Sequence, residues 1–103
     1  MTGQPLQRKV VITNPMGFHF RPVAAFAKLA ATFLANVTVG KDNRRVNGKS
    51  PLELMLLAAE QGTELTIEAA GPDAAEALDA LAVLLATTNW DDDTPARPAA
   101  PKG

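Results

Sequence analysis

The sequence lacks several features that would assign it to a particular functional class. It has no cysteine among its 103 residues, which excludes a disulfide, a thiolate metal site and a cysteine nucleophile. Its formal net charge is −1, whereas nucleic-acid binding normally requires a strongly basic surface. No apolar run is long enough to span a bilayer, and the polar first residues do not resemble a signal peptide. We therefore expect a soluble, cytoplasmic monomer with no metal, no cofactor, no nucleic-acid partner and no membrane association.

Hydrophobic residues make up 47% of the chain, which is enough for one buried core. We assign that core to a domain over residues 1–90. Residues 91–103 contain three aspartates, three prolines and no large apolar side chain, so we expect a disordered tail there.

Periodicity predicts seven elements in the order β-α-β-β-α-β-α. The predicted strands are residues 7–13, 36–40, 43–47 and 63–69, and the predicted helices are residues 22–35, 51–60 and 73–88. We place a hairpin turn at Lys41–Asp42 and a helix stop at Gly62. The basic residues of this hairpin region are interpreted as a solvated surface: Lys41, Arg44, Arg45 and Lys49. The order predicts an α+β fold with one antiparallel-dominated sheet of four strands and helices on one side.

The single histidine, His19, lies between a glycine turn and the start of the first predicted helix. A helix N-terminus attracts phosphate and disfavours an imidazolium. Arg21 could neutralise phosphoryl oxygens, while Gly17 permits a sharp turn and Pro22 suits the first helical turn. A helix entry with merely solvated polar residues explains the same pattern equally well, so the residues alone leave both interpretations open.

Ser50 precedes Pro51 and Glu53 in the pattern of a helix N-cap with a capping-box acid. The helix that follows is apolar nearly all round. Leu52 and Met55 share one face of it, which is either part of the core or an exposed interface.

Two motifs resemble those of the HPr family of phosphocarriers. The run NPMGFHFRPVAAFAKLA, residues 14–30, resembles its active-site signature, and VNGKSPLELMLLAA, residues 46–59, resembles its second signature. The similarity covers roughly residues 7–88. It implies an open-faced β-sandwich, in which a four-stranded antiparallel sheet carries three helices on one face.

The resemblance also implies roles for individual residues. His19 matches the histidine phosphorylated at Nδ1 by enzyme I, with phosphoenolpyruvate as the ultimate donor, and Arg21 and Pro22 match the residues beside it. Ser50 matches the serine modified by HPr kinase/phosphorylase. The implied acceptor is the IIA component of a sugar permease or a regulatory target. Partner docking is expected on one group of residues: Phe20, Ala24, Leu52 and Met55.

The chain departs from the family pattern at two positions near these motifs. Phe20 stands where the family usually has alanine or threonine, and Pro51 replaces a large apolar residue. Three hypotheses follow from the sequence. They are a phosphocarrier acting through His19, a regulatory module acting mainly through phosphorylated Ser50, and an unrelated domain in which His19 and Arg21 bind an anion without covalent chemistry. A self-contained enzyme ranks last, because no acid–base partner or nucleotide loop accompanies His19.

Overall fold

Seven elements form in the predicted order, and the computed structural model describes residues 4–86 of the chain. The strands are β1 (Leu6–Val11), β2 (Asn36–Lys41), β3 (Arg44–Asn47) and β4 (Glu64–Ala70). The helices are α1 (Phe20–Ala30), α2 (Pro51–Leu56) and α3 (Ala74–Leu85). The predictions for residues 87–103, including the disordered tail, lie outside the described residues.

The four strands make one antiparallel sheet in the order β1-β4-β2-β3. The alternation predicted for β4 is confirmed, since Leu65, Ile67 and Ala69 are fully buried while the residues between them are half-buried or exposed. The helices pack on the face that these three side chains occupy, and the opposite face is polar. The predicted open-faced β-sandwich with three helices is confirmed.

The first helix begins earlier and ends earlier than predicted. It starts at Phe20 and ends at Ala30, and Leu34, predicted on its apolar face, is 78% exposed. The cause is a contact from a distant part of the chain. Both carboxylate oxygens of Asp73 accept backbone N–H groups, those of Leu34 and Ala35, at 2.8 Å each. These bonds hold the chain in a non-helical path into β2.

The second helix also ends earlier than predicted, at Leu56 rather than near Gly62. Ala58 has a φ of 50°, a left-handed conformation that stops the helix. The Lys41 Nζ donates to the Leu57 carbonyl oxygen at 2.9 Å, and Arg44 Nη1 donates to the Leu56 carbonyl oxygen at 2.7 Å. These two residues of the basic hairpin region thus cap the helix C-terminus, while Arg44 stays exposed as predicted.

The strand boundaries shift by one or two residues. The first strand ends at Val11 instead of residue 13, and the hairpin turn lies at residues 42–43, where Asp42 has a φ of 56°. The third helix spans Ala74–Leu85, with its predicted stripe of Ala74, Leu78, Leu81 and Leu85 buried. Over residues 4–86, no helix combines the length and the hydropathy needed to cross a membrane.

Candidate functional site

The site is built by three consecutive residues that differ sharply in exposure. Phe18 is 5% exposed and packs edge-on against Phe26, with 5.7 Å between ring centroids. Phe20 is 68% exposed, and His19 between them is half-buried. The ring of Phe18 is thus anchored in the core. The next two residues are progressively more exposed, so the imidazole of His19 reaches the surface.

His19 is the N-cap residue of α1. Its backbone is extended, with φ −93° and ψ −171°, and its carbonyl oxygen accepts the N–H of Val23 at 3.0 Å. Its side chain makes no capping hydrogen bond within the described part of the chain. The imidazole therefore sits at the positive end of the helix without being used to close it, which leaves it available for chemistry.

Gly17 is required at the turn before the histidine. Its φ is +75°, and a Cβ at this position would lie 2.7 Å from the carbonyl oxygen of Ala59. The next residue, Phe18, donates its N–H to that same oxygen at 2.8 Å. The turn is thus fastened to the segment that follows α2, so the two sequence motifs meet in space.

Pro22 occupies the first turn of α1, as predicted, and Arg21 lies there too because the helix begins at Phe20. Pro22 is buried and contributes no N–H group, while Arg21 is exposed. The first turn of the helix carries no acidic side chain that would oppose an anion. A cation two residues from His19, at the positive end of a helix, suits a phosphoryl group on the imidazole.

Asn14 contacts the imidazole of His19 and was not among the predicted site residues. Its side-chain Nδ2 lies 3.2 Å from Nε2 of His19, and its Oδ1 accepts the N–H of Met16 at 3.1 Å. Asparagine bonding two residues ahead is a readable turn signal. The contact with the ring depends on the path of the turn and was not readable from the sequence.

Ser50 is the N-cap of α2, as its sequence pattern predicted. Its Oγ accepts the N–H of Glu53 at 3.2 Å. The carboxylate of Glu53, however, accepts the N–H of Asn47 at 2.9 Å instead of that of Ser50. Only one of the two hydrogen bonds of a capping box is therefore present. The Glu53 carboxylate instead holds the backbone of Asn47, in the segment that leads into the helix.

The short helix α2 divides its leucines between core and surface. Leu54 and Leu57 are buried, whereas Leu52 is 74%, Leu56 58% and Met55 43% exposed. Ala24 on α1 is also exposed, and α1 packs directly against α2. Two further apolar residues that were not predicted for docking are exposed, Leu56 on α2 and Met16 in the turn before α1. Over residues 4–86, no group of three or more metal-ligating side chains forms.

Comparison with known proteins assigns the class of this fold and site. The family model described as "PTS HPr component phosphorylation site" matches residues 6–87. The phosphocarrier protein HPr of Cupriavidus necator is 42% identical over 81 residues, covering 79% of this chain and 91% of the relative. The HPr-like protein Crh of Bacillus subtilis is 43% identical over 77 residues, covering 75% and 91%.

A solved structure shows the same likeness in three dimensions. The crystal structure of a phosphocarrier protein HPr from Bacillus anthracis superimposes with a TM-score of 0.75 at 39% identity, covering 78% of this chain and 95% of that one. The fold is that of the phosphocarrier proteins. The chain belongs to the HPr family of the phosphotransferase system.

Proposed function

We propose that this chain accepts a phosphoryl group on His19 from enzyme I, with phosphoenolpyruvate as ultimate donor, and passes it on. The acceptor is the IIA component of a sugar permease or a regulatory target. The observation that carries the proposal is the position of His19, a half-buried imidazole at the N-cap of α1 that makes no cap bond within the described residues.

The transfer itself needs little from the carrier beyond position and charge. The lone pair of a ring nitrogen of His19 forms the new N–P bond, while the bond from phosphorus to the donor breaks and leaves its electron pair on the donor. The helix N-terminus and the Arg21 guanidinium favour the negative phosphoryl oxygens. Transfer onward reverses these steps, because the arrangement favours the phosphoryl group without trapping it.

Partner docking is proposed on the exposed apolar residues of α1 and α2. Phe20 on α1 and Leu52 and Met55 on α2 are large apolar side chains that water reaches, and Ala24 lies one turn along from Phe20. Exposed apolar side chains around a reactive group are typical of an interface core. Enzyme I and the IIA component would use this surface in turn.

Ser50 supports a second, regulatory function. Its hydroxyl lies at the N-terminus of α2, beside the exposed Leu52, where HPr kinase/phosphorylase could add a dianionic phosphate. One relative, Crh, is called HPr-like rather than HPr. A regulatory module acting mainly through phosphorylated Ser50 is therefore the alternative to a carrier acting through His19.

A reconstituted relay separates these functions. The full chain is incubated with enzyme I and phosphoenolpyruvate, an IIA component is then added, and the phosphorylated carrier is followed by native gel electrophoresis. A carrier is phosphorylated and then discharged, whereas a module acting through Ser50 is labelled by HPr kinase and ATP alone. Absence of phosphate uptake from enzyme I would overturn the carrier proposal.

A further inference from the structure

Asn14 is the one polar or charged residue that is buried within residues 4–86, at 3% exposure. A buried amide is stable where its oxygen and nitrogen find hydrogen-bond partners. The backbone N–H of Met16 supplies a donor for Oδ1 at 3.1 Å, and the ring of His19 supplies Nε2 at 3.2 Å from Nδ2. The amide therefore joins the turn to the imidazole.

In the structure, the backbone contact places the nitrogen end of the amide toward the ring. A backbone N–H can donate but not accept, so the side-chain atom facing Met16 is oxygen and the amide nitrogen faces Nε2 of His19. The backbone of His19 is itself fixed, because its carbonyl accepts the first bond of α1 from Val23. The contact with Asn14 therefore fixes the side-chain torsion angles of His19, with Nε2 facing Asn14 and the interior.

An imidazole has two nitrogens that can take a phosphoryl group, and nothing in the ring itself restricts the reaction to Nδ1. We propose that Asn14 is a positioning residue that covers Nε2 and so directs the phosphoryl group to Nδ1. The inference rests on the proposed function of His19 and adds the residue that selects the reacting atom.

The amide suits both protonation patterns of the neutral ring. In the resting ring Nε2 has its lone pair and accepts from the amide N–H of Asn14. In the reacting ring the proton is on Nε2, and the amide rotates by half a turn so that Oδ1 accepts it, giving up the Met16 contact. The lone pair on Nδ1 then forms the N–P bond, the donor's bond to phosphorus breaks with its electron pair, and the proton on Nε2 remains hydrogen-bonded to Oδ1.

A small chemical donor tests this choice without help from a partner protein. Phosphoramidate transfers its phosphoryl group to a ring nitrogen and leaves as ammonia, so any selectivity comes from this chain alone. Wild type, Asn14→Ser and Asn14→Asp, each ¹⁵N-labelled at histidine, are treated with phosphoramidate. The phosphorylated nitrogen is identified by NMR from its coupling to phosphorus.

The two variants form a matched pair. A serine hydroxyl can still accept the Met16 N–H, but the side chain is too short to reach the ring of His19. An aspartate carboxylate is long enough to contact both the Met16 N–H and the ring. Wild type and Asn14→Asp should give the Nδ1 product. In Asn14→Ser the ratio of Nδ1 to Nε2 product should fall roughly tenfold, the upper range for loss of one hydrogen bond.

An Asn14→Ser variant that melts like wild type and still gives a single Nδ1 product would overturn the inference. If Asn14→Ser unfolds, the ratio of products in Asn14→Asp decides, because an Nε2 product there shows that covering Nε2 does not direct the reaction. Failure of the proposed function looks different. Wild type would then take no phosphate from enzyme I, while its reaction with phosphoramidate would still report the selected nitrogen.

Discussion

A side chain at Gly17 would have its Cβ 2.7 Å from the carbonyl oxygen of Ala59, the atom that accepts the N–H of Phe18. This approach brings the histidine turn against the end of the second motif. It explains why a glycine is needed two residues before His19, beyond the freedom of its φ of +75°.

Gly17→Ala should therefore lose more stability than backbone strain alone predicts. A left-handed non-glycine residue costs about 1–2 kcal/mol, and the clash with Ala59 adds to it. Gly62→Ala is the matched control, since Gly62 has a φ of +92° but no atom within 4 Å of the added Cβ. Urea unfolding of both variants measures the difference. Equal losses would mean that the turn is not packed against Ala59 as described.

The local parts of this site were readable from the sequence, and the contacts between distant segments were not. The cap at Ser50 involves a residue three positions away, so its pattern predicted it correctly. The end of α1 depends on Asp73, which lies 39 positions from Leu34. The prediction that Leu34 continued the helix was wrong because local periodicity carries no information about that carboxylate. The ring contact of Asn14 spans only five residues, but it depends on the path of the turn between them and so escaped prediction as well.

Protonation of Asp73 should lower the stability of the fold as the pH falls. The backbone N–H of Leu34 is the main cause that lowers the pKa of Asp73 below its ordinary value of 3.8, followed by that of Ala35 and the charge of Lys49. A lowered folded pKa gives stability that is present above the unfolded pKa and is lost as the pH falls through the folded pKa.

Thermal melting of wild type and Asp73→Asn as a function of pH tests this. Wild type should melt higher than the variant at neutral pH, and the difference should shrink below about pH 4, where the carboxylate starts to be protonated. A difference that stays constant down to pH 2 would show that the charge of Asp73 does not contribute.

Phe20 should contribute to partner binding rather than to folding. It is 68% exposed, beside His19, and an aromatic side chain buried at the centre of an interface is often worth more than 1 kcal/mol. Phe20→Ala should raise the apparent KM of enzyme I for the carrier by roughly tenfold, which corresponds to about 1.4 kcal/mol. The measurement is the rate of phosphotransfer against carrier concentration.

Leu34→Ala is the control for Phe20→Ala. Leu34 is 78% exposed and lies beyond the C-terminal end of α1, an 11-residue helix that is about 16 Å long. Its loss should leave KM unchanged. If Phe20→Ala also leaves KM unchanged, the aromatic side chain is not part of the docking surface.

Charge at Ser50 should affect partner binding without weakening the fold. Ser50→Ala removes the acceptor for the Glu53 N–H and should cost about 1 kcal/mol, while Ser50→Asp replaces one good N-cap with another. The new charge lies beside the exposed Leu52, where a partner must desolvate it. Ser50→Asp should therefore melt like wild type yet show a higher KM with enzyme I.

Melting curves and transfer kinetics of wild type, Ser50→Ala and Ser50→Asp distinguish the two roles. If Ser50→Asp accepts phosphate as readily as Ser50→Ala, Ser50 acts as a helix cap and not as a regulatory site.

The most direct test of the account is the mass of the intact chain after treatment with enzyme I and phosphoenolpyruvate, measured under alkaline conditions that preserve phosphohistidine. We predict that wild type gains one phosphoryl group, that acid removes it, and that His19→Ala gains none while keeping its fold. Because His19 is the sole histidine of the chain, an acid-labile phosphoryl group on folded His19→Ala, or none on wild type, would contradict the account.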